Sequence, residues 1–298
     1  MIPNDPLADE IASNIKHDLS SGATELIREA LNSLFTYADA LGTQPANEAK
    51  TRLLLLSERL KHLRPCMASL HNILSDWQAR LDELAIDDPK HFIENVQTLC
   101  KQQINVMNTR QDKLITQAVS GLCNLQTIMT LSRSSTLCAV FTKLPQRPLG
   151  FIVCESRPGC EGKILATTLA SSELSVEYIV DAAVGNHIQQ ADAVVVGADT
   201  ILADGSVVNK CGTSLLALAA QYYKLPFYVI ADSSKCAEFF ADDLTREEMP
   251  ATELAAPDSP WIYPHNFYFD VTDAVLIDAY ITEFGMERSW PWSRRHER

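Results

Sequence analysis

No two cysteines in this chain stand two residues apart and no Cys/His group has zinc spacing, although eight are present: Cys66, Cys100, Cys123, Cys138, Cys154, Cys160, Cys211 and Cys236. That pattern excludes a zinc knuckle and a dithiol redox motif, and the scatter of thiols through apolar runs predicts free, reduced side chains in a cytoplasmic protein. Carboxylates and histidines do not cluster, so no metal is expected. Glycine is scarce, at 11 residues, and no GxGxxG turn occurs, so no redox cofactor is expected either. No run approaches the ~20 apolar residues that cross a bilayer, and the start, MIPNDPLADE, has no basic segment ahead of an apolar one. Positive charge is in deficit, with 25 Lys and Arg against 38 Asp and Glu for a formal net charge of −13. This opposes the counterion release that drives nucleic-acid binding, and only the tail gathers cations, at Arg294, Arg295 and Arg298. Neither nucleic acid nor membrane is an expected partner.

What is present is apolar surface, 46% of 298 residues, enough for substantial cores. The first stretch reads as helical. After Pro65, the residues Met67, Leu70, Leu74, Trp77, Leu81 and Leu84 recur at intervals of three and four, which places them on one helix face. Ala23 to Phe35 and Asn47 to Leu63 are also helical in pattern, and Asp87-Asp88-Pro89 separates the long helix from one beginning near His91. From about Leu125 the pattern changes to short apolar runs, each followed by a helical segment: Thr127 to Leu131, Gly150 to Cys154, Val176 to Val180, Ala193 to Val196, and Pro226 to Ala231. Runs of this kind predict strands covered on both faces, hence an α/β fold with a doubly wound parallel sheet. The expected division is a helical domain over 1–120 and a Rossmann-like domain over 121–298.

In such sheets ligands bind beyond the carboxyl ends of the strands. The first run ends in Ser132-Arg133-Ser134-Ser135, either a phosphate cradle at a helix start or simple serine capping. The second ends in Glu155-Ser156-Arg157, where Arg157 is suited to clamp a phosphate and Glu155 to accept a sugar hydroxyl, or the two form a surface ion pair. The third ends in Gly197-Ala198-Asp199, with Asn209 and Lys210 following; Asp199 can act as general base, and the bland alternative is turn formation. The fourth ends in Asp232-Ser233-Ser234-Lys235. Convergence of four polar strand ends favours one ligand crevice over four unrelated loops.

The segment VVGADTILADGSVVNKCGTSLLALAAQYYKLPFYVIADSSK resembles the hallmark of the superfamily of initiation factor 2B subunits, methylthioribose-1-phosphate isomerase and ribose-1,5-bisphosphate isomerase. Glu155-Ser156-Arg157-Pro158 with Glu161-Gly162, Asp181 to Gly185, Arg64-Pro65, Phe269 to Thr272 and Ile281 to Gly285 resemble further blocks of it. The resemblance implies a helical N-terminal domain, a Rossmann-like C-terminal domain, assembly into a dimer or larger oligomer through the latter, and a phosphorylated sugar or nucleotide as ligand. In the isomerases an aspartate of GAD and a cysteine closing the first strand interconvert an aldose 1-phosphate and its ketose. The matching positions here are Asp199 and Ser132. The N-terminal phosphate loop carries Ser21-Gly22-Ala23 where the isomerases have Arg-Gly-Ala, while Arg64, Arg157, Asn209 and Lys210 are retained.

A serine hydroxyl is a far weaker acid than a thiol. The expectation drawn from that exchange is a non-enzymatic, initiation-factor-like binding protein with partner subunits. Its alternative is an aldose–ketose isomerase with Asp199 as base and an unorthodox acid, and a third possibility is a scaffold with an empty crevice. Cys154, Cys160 and Cys211 border the expected crevice but read as structural, and His187 reads as a helix residue.

Overall fold

A computed structural model describes residues 5–18, 21–86, 88–145, 150–245 and 247–290. Asp87 and the basic tail with Arg294, Arg295 and Arg298 lie outside the described residues. The chain divides into two compact units at Arg110 and Gln111.

The first unit holds α1 (Pro6–His17), α2 (Ala23–Ala40), α3 (Ala46–Lys61), α4 (Ala68–Asp82) and the first part of α5 (Pro89–Leu122). The α1 helix is an addition to those expected from sequence. It starts where Asp5 accepts a hydrogen bond from the Ala8 amide at 3.1 Å, with Pro6 at the first helical position. The α4 stripe behaves as its spacing predicts: Leu70, Leu74, Trp77 and Leu81 are buried. Met67 is the residue before the helix, and Leu84 falls past its end at Asp82. α2 packs on α1, α3 and α4, each contributing apolar residues to the shared core.

The second unit continues with β1 (Thr127–Leu131), α6 (Ser135–Phe141), β2 (Gly150–Cys154), α7 (Gly162–Ser171), β3 (Ser175–Ile179), α8 (Val184–His187), β4 (Ala193–Gly197), β5 (Thr200–Ile201), β6 (Val207–Lys210), α9 (Thr213–Tyr223), β7 (Phe227–Ile230), β8 (Phe269–Thr272), β9 (Ala279–Thr282) and β10 (Gly285–Glu287). Seven strands form one sheet in the order β10-β9-β7-β4-β1-β2-β3, parallel except for β10. Taking the parallel strands alone, chain order runs outward from β1 on one side and from β4 on the other, the Rossmann order. A second, antiparallel sheet, β5-β6-β8, is attached beyond the end of β4.

Period-two alternation divides the strand residues between two apolar layers. Met129, Leu131, Ile152, Val194 and Val196 face Leu216, Ala217 and Ala220 of α9. Ile128, Phe151, Val153 and Val195 face Leu114 and Ala118 of α5, Leu137 and Phe141 of α6, and Leu165 and Leu169 of α7. This two-sided cover is why the runs are apolar throughout.

Two expectations need correction. The run Val176 to Val180 is not covered on both faces: it becomes β3 at the sheet edge, with Glu177 and Tyr178 exposed, because an edge strand has a neighbour on one side only. The stretch Asp181 to Gln190 is not one helix but a 3-10 turn, the single turn of α8, and another 3-10 turn.

Asn209 and Lys210 end a buried strand, and Gly212 then turns into α9 with φ at 103°. L-residues pay roughly 1–2 kcal/mol in that left-handed region. Gly212→Ala should therefore lower unfolding stability by about 1–2 kcal/mol in urea titration; an unchanged midpoint would contradict the strain.

Candidate ligand site at the strand ends

Because β1, β2, β4 and β7 are parallel neighbours, their carboxyl ends emerge on one edge of the sheet. Sequential strands depart in opposite directions from β1 and β4, and that switch opens a crevice between their loops. Ser132 follows β1 directly, with φ at 62°. Its amide donates to Ser156 Oγ at 2.5 Å, and Ser156 in turn donates to the Cys154 carbonyl at 3.2 Å. The β1 and β2 loops are thus tied together. Ser134 takes the capping role, one of the two considered for this segment, its Oγ accepting from the Leu137 amide at 3.3 Å, with Ser135 opening the short α6. It also reaches across the switch: a Cβ on Gly197 would lie 3.6 Å from Ser134 Oγ. Arg133 is half-buried beside it.

Asp181 organises the β2 loop by accepting from the amides of Ser156 and Arg157, both at 2.8 Å. Glu155 is half-buried at the strand end. Gly162 is required at the start of α7, since a Cβ there would stand 1.9 Å from the Cys154 carbonyl oxygen. Among the described residues Arg157 does not form the surface ion pair considered for it. Its exposed guanidinium donates to the Pro158 and Glu253 carbonyls, each at 3.3 Å.

Asp199 is half-buried immediately after β4, its amide donating to the Val208 carbonyl at 2.9 Å. Carrying the β5–β6 register back sets Asn209 opposite Asp199 and Lys210 opposite Ala198. Asn209 points inward and donates to Thr213 Oγ1 at 3.0 Å. The Lys210 ammonium, only 6% exposed as a residue, sits 2.6 Å from Glu161 Oε1 and 4.1 Å from the centre of the Tyr268 ring. A buried cation needs such compensation. Glu161 Oε2 is buried and has no hydrogen-bond partner among the described residues, an acceptor left open beside the pair. The Lys235 ammonium donates to the Ala198 carbonyl, next to Asp199. Glu283, just past β9, holds the preceding loop through Ser233, with Oε1 2.5 Å from its hydroxyl and Oε2 3.0 Å from its amide.

In the sequence Asp181, Asp270 and Glu283 stand only as members of resembling blocks, without a role, and Glu253 is not singled out; the first three act through partners far along the chain. Tyr268 donates to Glu253 at 2.7 Å, and Asp270 accepts from the amides of Gly212 and Ser214 at the start of α9. Burial holds the Asp270 carboxyl above its ordinary range, against the Ser214 and Gly212 hydrogen bonds that favour its charge. His187 lies away from the crevice edge, with Nδ1 3.4 Å from Glu177 on the exposed β3.

In the first unit, Gly22 is the residue before α2, its amide donating to Glu25 at 3.0 Å, and Ala23 is the buried first residue of that helix. Arg64 is buried and donates to the Asp18 carbonyl at 2.9 Å.

A mostly parallel sheet in Rossmann order, with polar residues at the carboxyl ends of its central strands, defines an α/β protein of the doubly wound class. The chain belongs to the initiation factor 2 subunit family, whose model matches residues 19–289. It is 31% identical over 282 residues to ribose 1,5-bisphosphate isomerase of Archaeoglobus fulgidus, spanning 93% of this chain and 88% of that protein. It is also 31% identical to methylthioribose-1-phosphate isomerase of Exiguobacterium sibiricum, over 89% of this chain and 79% of that one. Among solved structures, the translation initiation factor eIF-2B of Pyrococcus horikoshii matches with a TM-score of 0.81 at 27% identity, covering 96% of this chain and 98% of that chain. No helix among the described residues is long and apolar enough to cross a membrane.

Two of the thiols named beside the expected crevice, Cys154 and Cys211, are disfavoured as thiolates. Burial, with a smaller contribution from Asp181, pushes the Cys154 thiol up to about 12. Cys211 is exposed, yet partial desolvation and then the Asp270 charge raise it as well. Thiolate is the reactive form. With iodoacetamide at pH 8, Cys211 should alkylate while Cys154, and Cys100 in the first unit, stay unmodified by peptide mass mapping; prompt labelling of Cys154 would contradict its burial.

Proposed function

We propose that the chain is an aldose–ketose isomerase acting on a ribose 1-phosphate derivative bound at the carboxyl ends of β1, β2, β4 and β7. The observation that carries this reading is the position of Asp199 at the switch point, beside an ammonium anchored on the neighbouring carbonyl and opposite Asn209 in the extended β5–β6 register. Converting an aldose 1-phosphate to its ketose needs a proton donated to the ring oxygen as the C1–O bond opens, a proton taken from C2, a proton delivered to C1, and the C2 hydroxyl proton given up as the ketone forms. In this proposal Asp199 is the base at C2 and returns the proton to C1. Arg157 and Lys235 meet phosphate, Glu161 Oε2 accepts a sugar hydroxyl, and Ser132 protonates the ring oxygen and is reprotonated by the C2 hydroxyl proton, so that no net proton is gained.

The isomerase names of the relatives, at 31% identity, support this reading over the regulatory one expected from sequence. One observation favours the regulatory alternative: Ser132 occupies the position of the isomerases' cysteine, and a hydroxyl is a weak acid. The two readings separate in one assay. With ribose 1,5-bisphosphate, the isomerase reading predicts slow ketose formation that falls by roughly 10²–10⁴-fold in Asp199→Asn, the range a general base supplies. Ser132→Cys should raise kcat. Tight binding with no turnover in either the natural chain or Ser132→Cys leaves the regulatory reading standing alone.

Self-association through the second unit belongs to the same proposal. Leu215, Leu218 and Tyr222 run down one face of α9 with exposures of 70%, 50% and 79%. Solvent-facing apolar stripes of this kind mark contact surfaces. Leu215→Glu with Leu218→Glu should lower the sedimenting mass to that of a single chain; an unchanged mass would place the contact elsewhere.

A further inference from the structure

A hollow of ≈ 710 Å³ opens at the amino-terminal edge of the sheet, where Pro226 leads into β7 and Asp278 into β9. The crevice lies at the other ends of these strands, past Ile230 and Thr282, about 13 Å away for a four-residue strand. The two sites are therefore separate. Volumes of this size fall in the range of small-molecule sites, about 300–1,000 Å³.

The lining is unusual for a chain with a formal net charge of −13. Two cations, Lys224 and Arg288, border the hollow, and among the described residues neither makes an ion pair. Lys224 is set in place by the backbone: it ends α9 in the left-handed conformation, φ 58° and ψ 37°, with its amide on the Ala220 and Gln221 carbonyls. The one carboxylate in the lining, Asp278, is partly committed, because its Oδ2 accepts from the Phe227 amide at 2.7 Å. The half-buried Tyr228 hydroxyl is a further donor within the field of both Asp278 and Arg288. Burial first, then the Asp278 charge, holds that phenol above its ordinary value, so it keeps its proton. Leu225, Ile277 and Met286 supply an apolar wall.

We infer that this hollow is a second small-molecule site, for an organic phosphomonoester whose dianion meets Lys224 and Arg288 while its apolar body lies along Leu225, Ile277 and Met286. Two cations exceed the one acid, and with neutral donors around them they match the several acceptor oxygens of a phosphate better than the two of a carboxylate. The proposal does not depend on the isomerase reading, since no crevice residue takes part.

Phenyl phosphate titrated into the full chain by calorimetry tests it. Lys224→Gln combined with Arg288→Gln changes two exposed side chains and should leave the thermal midpoint in place while weakening binding at least ten-fold. Arg157→Gln with Lys235→Gln, in the crevice, should retain a phenyl phosphate site. Equal binding by the Lys224/Arg288 double variant and the natural chain overturns the proposal. So does a changed sedimenting mass in that variant with phosphate binding intact, which would assign the hollow to contact between copies of the chain.

Discussion

The pairing of β1 with parallel strands on both sides is the constraint from which the rest of the second unit follows. Ile128 and Met129 are paired on both sides and covered on both faces, so the strand presents apolar residues in both directions, and each parallel neighbour must return by a crossover. Those crossovers put α6 and α7 on one face, where α5, leading into β1, also packs, and α9 on the other. They also deliver every loop that follows β1, β2, β4 and β7 to the same edge. The crevice is a by-product of this topology, and its residues are brought together by strand direction rather than by closeness in sequence.

Charge is handled in that crevice by pairing and by backbone. Lys210 is withdrawn from water against Glu161 and the face of Tyr268, while Lys235 rests on the Ala198 carbonyl. Three carboxylates, Asp181, Asp270 and Glu283, spend their oxygens on the amides and hydroxyls of the loops. The loops are thereby held before any ligand arrives, which is the arrangement a site needs if binding is not to be spent on ordering the protein. Ser132 is joined to the same set through its amide on Ser156, in a left-handed backbone conformation.

The buried strands were legible because two-sided burial leaves a continuous apolar run, as in Ala193 to Gly197. The α4 stripe was legible for the helical counterpart of that reason. The strands β8 and β9 were not, since Phe269–Thr272 and Ala279–Thr282 mix polar and apolar residues and owe their extended form to partners across the sheet. The polar strand ends were visible, and Asp199, Lys210 and Lys235 were named from them. The organising role of the carboxylates was not: Asp181, Asp270 and Glu283 lie in blocks that carry the resemblance, but their partners stand 24 to 58 residues away and nothing local marks those contacts. Arg157 shows the same limit from the other side: its side chain is committed to carbonyls that no motif would have disclosed.

The central claim is that the carboxyl ends of β1 and β4 receive a phosphorylated pentose. Crystals of the Asp199→Asn chain soaked in ribose 1,5-bisphosphate test it most directly. The account predicts density for the sugar between Ser132 and residue 199, with a phosphate against Lys235 or Arg157. A crevice that stays free of sugar at saturating concentration, or sugar bound only elsewhere on the chain, would contradict it.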